Sequence, residues 1–164
     1  MATKLYLDVD GVINAGSEKK LSNFWSPGTI RKGVAGADGF AYDIIWSQQM
    51  VDELFGLGLD LIWTTTWRQH AGLSISPLIG YGHEAPYFTN SFNVSEYEPS
   101  ISWKVQEVIS HQKENPSKFV WIDDEIDYVH RNAVKNFGGL IISPLPEVGI
   151  VPEHLELIKD YLAG

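Results

Sequence analysis

Short, continuous apolar runs alternate along the chain with stretches whose apolar residues recur at helical spacing. The first run, Lys4-Leu5-Tyr6-Leu7, reads as a strand that ends abruptly in Asp8-Val9-Asp10-Gly11. Leu59-Asp60-Leu61-Ile62-Trp63 is a second and ends in Thr64-Thr65-Thr66. Lys118-Phe119-Val120-Trp121-Ile122 is a third and ends in Asp123-Asp124. Leu140-Ile141-Ile142 supplies a fourth, and Ala41 to Trp46 a further short one. Between these runs the period lengthens. Ser47 is placed to cap a helix through about Leu57, with Met50, Val51, Leu54 and Phe55 on its apolar face. Helices are also expected over 67–73, over 100–114 with Ile101, Val105, Val108 and Ile109 inward, and over 125–136 before Gly138-Gly139. Pro152 opens a last one, to about Leu162.

The remaining stretches are irregular. Residues 14–40 are rich in Gly, Ser and Asn and read as a long loop or small hairpin lying over the end of the first strand. Residues 80–99 show no period beyond a short strand at 87–89. Strands alternating with amphipathic helices predict an α/β fold, three-layered and Rossmann-like, with a central, mainly parallel sheet. The 164 residues then form a single domain, with 14–40 as a small flap and no large cap. In such sheets ligands bind beyond the carboxyl ends of the strands. The polar clusters Asp8/Asp10, Thr64–Thr66 and Asp123/Asp124 are therefore expected to converge there.

Bulk composition narrows the class. The net charge is −9, which argues against non-specific duplex binding, because that relies on Lys and Arg neutralising phosphates. The insert departs from this balance, with Lys19, Lys20, Arg31 and Lys32 against Glu18 and Asp38. There is no cysteine, hence no disulfide framework, thiolate metal site or cysteine nucleophile. No apolar run approaches the roughly 18 residues of a membrane span, and the first twenty residues lack a signal-peptide core. A soluble, cytoplasmic protein is the expectation. Most of the six tryptophans are expected in the core.

Asp8 and Asp10, two apart at a strand end, share one side. Paired carboxylates repel, and burying them requires a cation. Oxygen-only ligands suit magnesium. With the charge so balanced, Asp8 can attack a phosphoryl group while Asp10 protonates the leaving oxygen and later deprotonates water. Thr64 can donate to a phosphoryl oxygen, and Lys104 can offset charge on nucleophile and phosphate. Asp123 and Asp124 complete a magnesium site with Asp8 and the backbone carbonyl of Asp10. Each of these residues has a structural reading too. Asp123-Asp124 could simply cap the helix that follows, Asp127 suits a first-turn surface position, and Thr65 and Thr66 suit a strand.

This order of motifs resembles the haloacid dehalogenase (HAD) superfamily of phosphatases. Asp8-Val9-Asp10-Gly11 matches its first motif, Leu61-Ile62-Trp63-Thr64 its second, Lys104 its third and Trp121-Ile122-Asp123-Asp124 its fourth. Val12 stands where Thr is common, and the threonine triplet leaves Thr64 and Thr65 as alternatives for the second motif. Trp63-Thr64-Thr65-Thr66-Trp67, Ser102-Trp103-Lys104 and Trp121-Ile122-Asp123-Asp124 are similar to the phosphatase-like domain of the Swiss-Army-knife RNA repair proteins. The resemblance implies a magnesium-dependent phosphomonoesterase with an aspartyl-phosphate intermediate, acting on a phosphorylated small molecule or nucleic-acid end. Thr65, Arg68 and Gly11 are candidate substrate contacts; a surface position is expected for His70, and core packing rather than base stacking for Trp67 and Trp103. The alternative is a non-catalytic, phosphate- or metal-binding regulatory module of the same fold.

Overall fold

A computed structural model describes residues 1–89 and 101–164. The expected irregular stretch at 80–99 and the helix start at Ser100 therefore lie partly outside the described residues. In chain order the elements are β1 (Lys4–Leu7), α1 (Glu18–Leu21), β2 (Ile30–Ala37), β3 (Phe40–Ser47), α2 (Gln48–Phe55) and β4 (Asp60–Trp63). Then follow α3 (Ser76–Ile79), α4 (Ile101–Glu114), β5 (Phe119–Ile122), α5 (Tyr128–Val134), β6 (Leu140–Ile142) and α6 (Pro152–Ala163).

Four strands form a parallel sheet in the order β4-β1-β5-β6. Their side chains alternate between two apolar layers, as the two-residue strand period requires. Leu5, Leu7, Trp63, Val120 and Ile122 enter one layer, covered by Met50, Val51 and Leu54 of α2 and by Leu155 and Ile158 of α6. Tyr6, Ile62, Phe119 and Trp121 enter the other, against Ile101, Val105 and Val108 of α4 and Val134 of α5. Helices on both faces explain why all four residues of β5 are buried and apolar. All six tryptophans are buried. Among the described residues, no helix is long and apolar enough to cross a membrane.

Register sets the functional edge. Leu7 pairs with both Trp63 and Ile122, and Ile122 with Ile142. The next residue of each strand then continues the ladder, with Asp8 N–H donating to the Ile122 carbonyl at 3.1 Å. Thr64 N–H donates to the Leu7 carbonyl at 2.8 Å, and Asp123 N–H to the Ile142 carbonyl at 3.1 Å. Asp8, Thr64 and Asp123 thus emerge side by side.

The structure redraws three expected boundaries. The insert does not stop at residue 40, because β3 pairs antiparallel with β2 and not with the central sheet. The flap is a hairpin reaching Ser47, turned at Asp38-Gly39, where both residues have positive φ (51° and 82°). That geometry is the two-residue turn that matches strand twist, and Asp-Gly is its favoured sequence. The helix expected over 67–73 instead closes as a π-helical turn over Ala71–Ile75 and continues as α3. There Ser76 N–H reaches back to the Ala71 carbonyl, and the wide turn leads into Pro77, which has no N–H to give. Finally, α5 starts at Tyr128 because the Asp127 carboxylate caps it, accepting from His130 N–H at 2.9 Å. The loop before it stays free to carry Asp123 and Asp124. The segment expected as a strand at 87–89 makes a single bridge, Tyr87 to Trp63.

Candidate active site

At the carboxyl edge of the sheet, Lys104 reaches down from α4 between two strand ends. Its Nζ lies 3.0 Å from Asp8 Oδ2 and 2.7 Å from Asp123 Oδ2. All three side chains are buried. The remaining oxygens are held by backbone, Asp8 Oδ1 by Val9 N–H at 2.7 Å and Asp123 Oδ1 by Glu125 N–H at 3.0 Å. Asp124 joins from the loop after β5. One oxygen from each of Asp8, Asp123 and Asp124 lies within 4.8 Å of the others.

Among the described residues, three carboxylates face one ammonium here, two negative charges in excess when all are ionised. Burial raises the Asp8 pKa above the usual carboxylate range, although the charge and hydrogen bond of Lys104 oppose it. Asp123 is pushed up to about 7 by burial and then by Asp8, and Asp124 to about 6 by the same two causes. Burial would depress the Lys104 ammonium, but the charges of Asp8 and Asp123 outweigh it and raise its pKa. An oxygen-only donor set with excess negative charge fits a hard divalent cation such as magnesium. Because protons compete for the same oxygens, magnesium affinity should fall as pH drops from 8 to 6, and binding should release protons. Calorimetry in two buffers of different ionisation enthalpy measures both. A pH-independent affinity would contradict the carboxylate set.

Asp10 is the exposed member of the first pair and is held from both sides. Its Oδ1 accepts from Asn14 Nδ2 and its Oδ2 from Trp67 Nε1, each at 2.9 Å. Asn14 in turn accepts from the flap, Ile45 N–H to Asn14 Oδ1 at 2.9 Å. Asp10 is therefore positioned jointly by the flap and by the loop after β4. Its carboxylate is not in the three-acid cluster.

The threonine triplet divides its work. Thr64 spends its hydroxyl on the Ile62 carbonyl at 3.1 Å. Thr65 hydrogen-bonds Asp8 and accepts from Trp67 N–H at 3.2 Å. Thr66 lines the pocket, a cavity of about 160 Å3 that it shares with Asp8, Asp10, Lys104, Asp124 and Glu125. Arg68 is exposed, has a positive φ of 51° and lines neither this cavity nor its neighbour.

Gly11 is where the fold needs a glycine. Its φ is +72°, and a Cβ there would lie 2.5 Å from Asp124 Oδ2. A side chain would both strain the backbone and push Asp124 out of the cluster. Gly11→Ala should accordingly weaken magnesium binding by about tenfold or more while lowering stability by roughly 1–3 kcal/mol. Titration calorimetry and thermal unfolding read the two effects, and unchanged magnesium affinity would contradict the packing argument.

Asn14 and Glu125 are site residues that motif reading passes over, and Thr66 enters it only within the threonine triplet. Asn14 carries one signal, a polar residue inside Val12-Ile13-Asn14-Ala15. The expected basic flap is also different in space. Lys20 pairs with Glu147, Lys32 with Glu18, and Arg31 donates to the Gly28 carbonyl at 2.7 Å.

A family model for the HAD domain in Swiss Army Knife RNA repair proteins matches residues 4–155. The chain belongs to this family. Neither the curated proteins nor the solved structures contain a match. The matched span of this HAD domain holds all four strand ends and Lys104, and membership supports hydrolase chemistry of the HAD type.

Proposed function

We propose that the protein is a magnesium-dependent phosphomonoesterase that works through an aspartyl-phosphate on Asp8, with a nucleotide or nucleic-acid end carrying the phosphate. The observation that carries this reading is the buried Lys104 bridge between Asp8 and Asp123, with Asp124 completing the cluster and Asp10 oriented beside it. The name of the family supports the nucleic-acid end.

Asp8, Asp123, Asp124 and the Asp10 carbonyl would hold the magnesium ion, which supplies charge neutralisation for nucleophile and phosphoryl oxygens. Asp8 attacks phosphorus, and the bond from phosphorus to the ester oxygen breaks. Asp10 gives its proton to that oxygen, so the product leaves as an alcohol. Asp10, now a carboxylate, takes a proton from the water that attacks the phosphorylated Asp8. Phosphate leaves and Asp8 is regenerated. Lys104 holds Asp8 in place and offsets the phosphoryl charge. With the Thr64 hydroxyl turned onto its own strand, Thr65 and Thr66 take the phosphoryl-facing role.

Asp10→Asn should lower kcat on alkyl phosphates by about 10²- to 10⁴-fold, and by much less on an aryl phosphate whose leaving group needs no proton. Equal losses on both would remove Asp10 from the acid role. Phosphate release from mononucleotides, end-phosphorylated oligonucleotides, sugar phosphates and an aryl phosphate, with magnesium and with chelator, tests the whole reading. Magnesium-dependent release is expected, fastest from the nucleotide substrates. Silence across the panel overturns the phosphatase, and release from sugar phosphates alone overturns the substrate class.

A further inference from the structure

We propose that the cleft beyond Asp10 is the leaving-group site, and that it takes a nucleoside whose base stacks on the flap aromatics Tyr42 and Phe40. This rests on the phosphatase reading and names what the phosphate is attached to. An acid that protonates a leaving oxygen must stand between the phosphoryl pocket and the rest of the substrate. Asp10 stands at such a junction. The pocket holding Lys104 and a second cleft of about 180 Å3 share Asp10 and Thr66. Ala37, Asp38, Tyr42 and Trp67 form the remaining wall of the second cleft.

That wall is aromatic for a topological reason. Phe40, Tyr42, Ile44 and Trp46 are two apart along β3 and share one face. Ile44 and Trp46 are buried in the core, whereas Tyr42 is 46% exposed and Phe40 67%. The same apolar face therefore runs out of the core to the cleft, with Tyr42 on its wall and Phe40 beside Tyr42. Opposite Tyr42 and Phe40 on β2 stand Ala35 and Ala37, too small to cover the rings. Tyr42 meets Trp67 edge-on, with centroids 5.4 Å apart at 71°, and Phe40 lies 6.5 Å from Tyr42. Trp67 is also the residue that holds Asp10, which ties the aromatic wall to the acid. The hairpin tip is docked in place. Ser74 Oγ donates to the Gly36 carbonyl at 2.6 Å, and His70 lies 3.3 Å from Asp38.

Charge and size narrow the occupant. Among the described residues, the charged ones on the cleft wall are Asp10 and Asp38, which repel a second phosphate and suit N–H or O–H donors. Arg31 and Lys32 lie six and five residues down β2 from Ala37, about 17–20 Å at roughly 3.3 Å per residue, and both are engaged elsewhere. At about 180 Å3 the cleft is smaller than the roughly 300–1,000 Å3 of most small-molecule sites, which suits a single base within it. A planar, uncharged group with hydrogen-bond donors, joined to phosphate through an alcohol, describes a nucleoside. Stacking on aromatic side chains tolerates any base.

The test is equilibrium binding, which does not require turnover. Adenosine monophosphates (3′ and 5′) and ribose 5-phosphate are titrated into magnesium-loaded Asp10→Asn protein, which retains Asp8, Asp123 and Asp124. A nucleotide should bind about 5- to 150-fold more tightly than ribose 5-phosphate. Adding Phe40→Ala, or Tyr42→Leu, should bring that ratio severalfold closer to one, and Tyr42→Phe should restore it. End-phosphorylated oligonucleotides in a parallel arm separate a polymer end from a free nucleotide as the source of the nucleoside. A ratio near one, a ratio unmoved by both flap variants, or no binding of any nucleotide overturns the base site. Phosphate release by the unmodified protein tests the phosphatase separately, so the two ideas can fail independently.

Discussion

Asp8→Asn is expected to lower kcat by at least about four orders of magnitude on every phosphoester tested, because it removes the proposed nucleophile. The substitution is nearly isosteric, and its one amide oxygen can keep either the contact from Val9 N–H or the contact from Lys104 Nζ. Lys104 keeps its bond to Asp123, so the buried ammonium is not orphaned. The fold should therefore survive, with far-ultraviolet circular dichroism unchanged and cooperative unfolding retained. Removing a carboxylate from a cluster with excess negative charge also relieves repulsion on Asp123 and Asp124. In the metal-free protein the variant should be no less stable than the parent, while magnesium binds more weakly. Steady-state kinetics and thermal unfolding with and without magnesium check both halves. Retained turnover in a folded variant would rule out the aspartyl-phosphate route.

Lys104→Met is expected to have the largest effect on stability. The ammonium is 3% exposed and is the cation between two buried carboxylates. Taking one partner from a buried ion pair costs about 3–5 kcal/mol, because the remaining charge is left without compensation. The loss should depend on pH in a definite sense. Asp8 and Asp123 already have raised pKa values in the fold, Asp123 about 7, and both rise further without Lys104. A carboxyl that holds its proton more tightly folded than unfolded stabilises the fold as pH falls through its folded pKa. The variant should therefore be weakest above pH 7, recover as pH falls toward about 4, and be rescued in part by magnesium at high pH. The kcat of the folded, magnesium-loaded variant should fall by about 10²- to 10³-fold. Urea denaturation at pH 5.5 and pH 8 reads the stability, and equal losses at both values would contradict the charge argument.

The convergence of the site is legible in the sequence because each motif follows directly on an apolar strand. A parallel sheet with aligned strand ends then leaves Asp8, Thr64 and Asp123 no other edge to share. What is not legible depends on contacts between distant segments. The Ala41 to Trp46 run has ordinary strand composition, and only pairing with β2 makes it part of the flap. Asp38-Gly39 is the local signal for that hairpin, and it sits inside a stretch whose Gly and Ser content reads as loop. Which threonine keeps its hydroxyl for the pocket turns on a side-chain hydrogen bond at the end of β4, where Thr64 donates to the Ile62 carbonyl. Trp67 reads as core and is buried, yet its one polar atom holds Asp10. The local basic excess of the insert is real in composition, and in space two of its lysines are paired, Lys20 with Glu147 and Lys32 with Glu18.

The most direct measurement is transfer of a labelled phosphoryl group from a phosphorylated nucleotide to the protein, followed by acid quench and peptide mapping with magnesium present. The label is predicted on the peptide containing Asp8, absent with chelator and absent from Asp8→Asn. Magnesium-dependent phosphate release that persists in Asp8→Asn, with no label on that peptide, would contradict it.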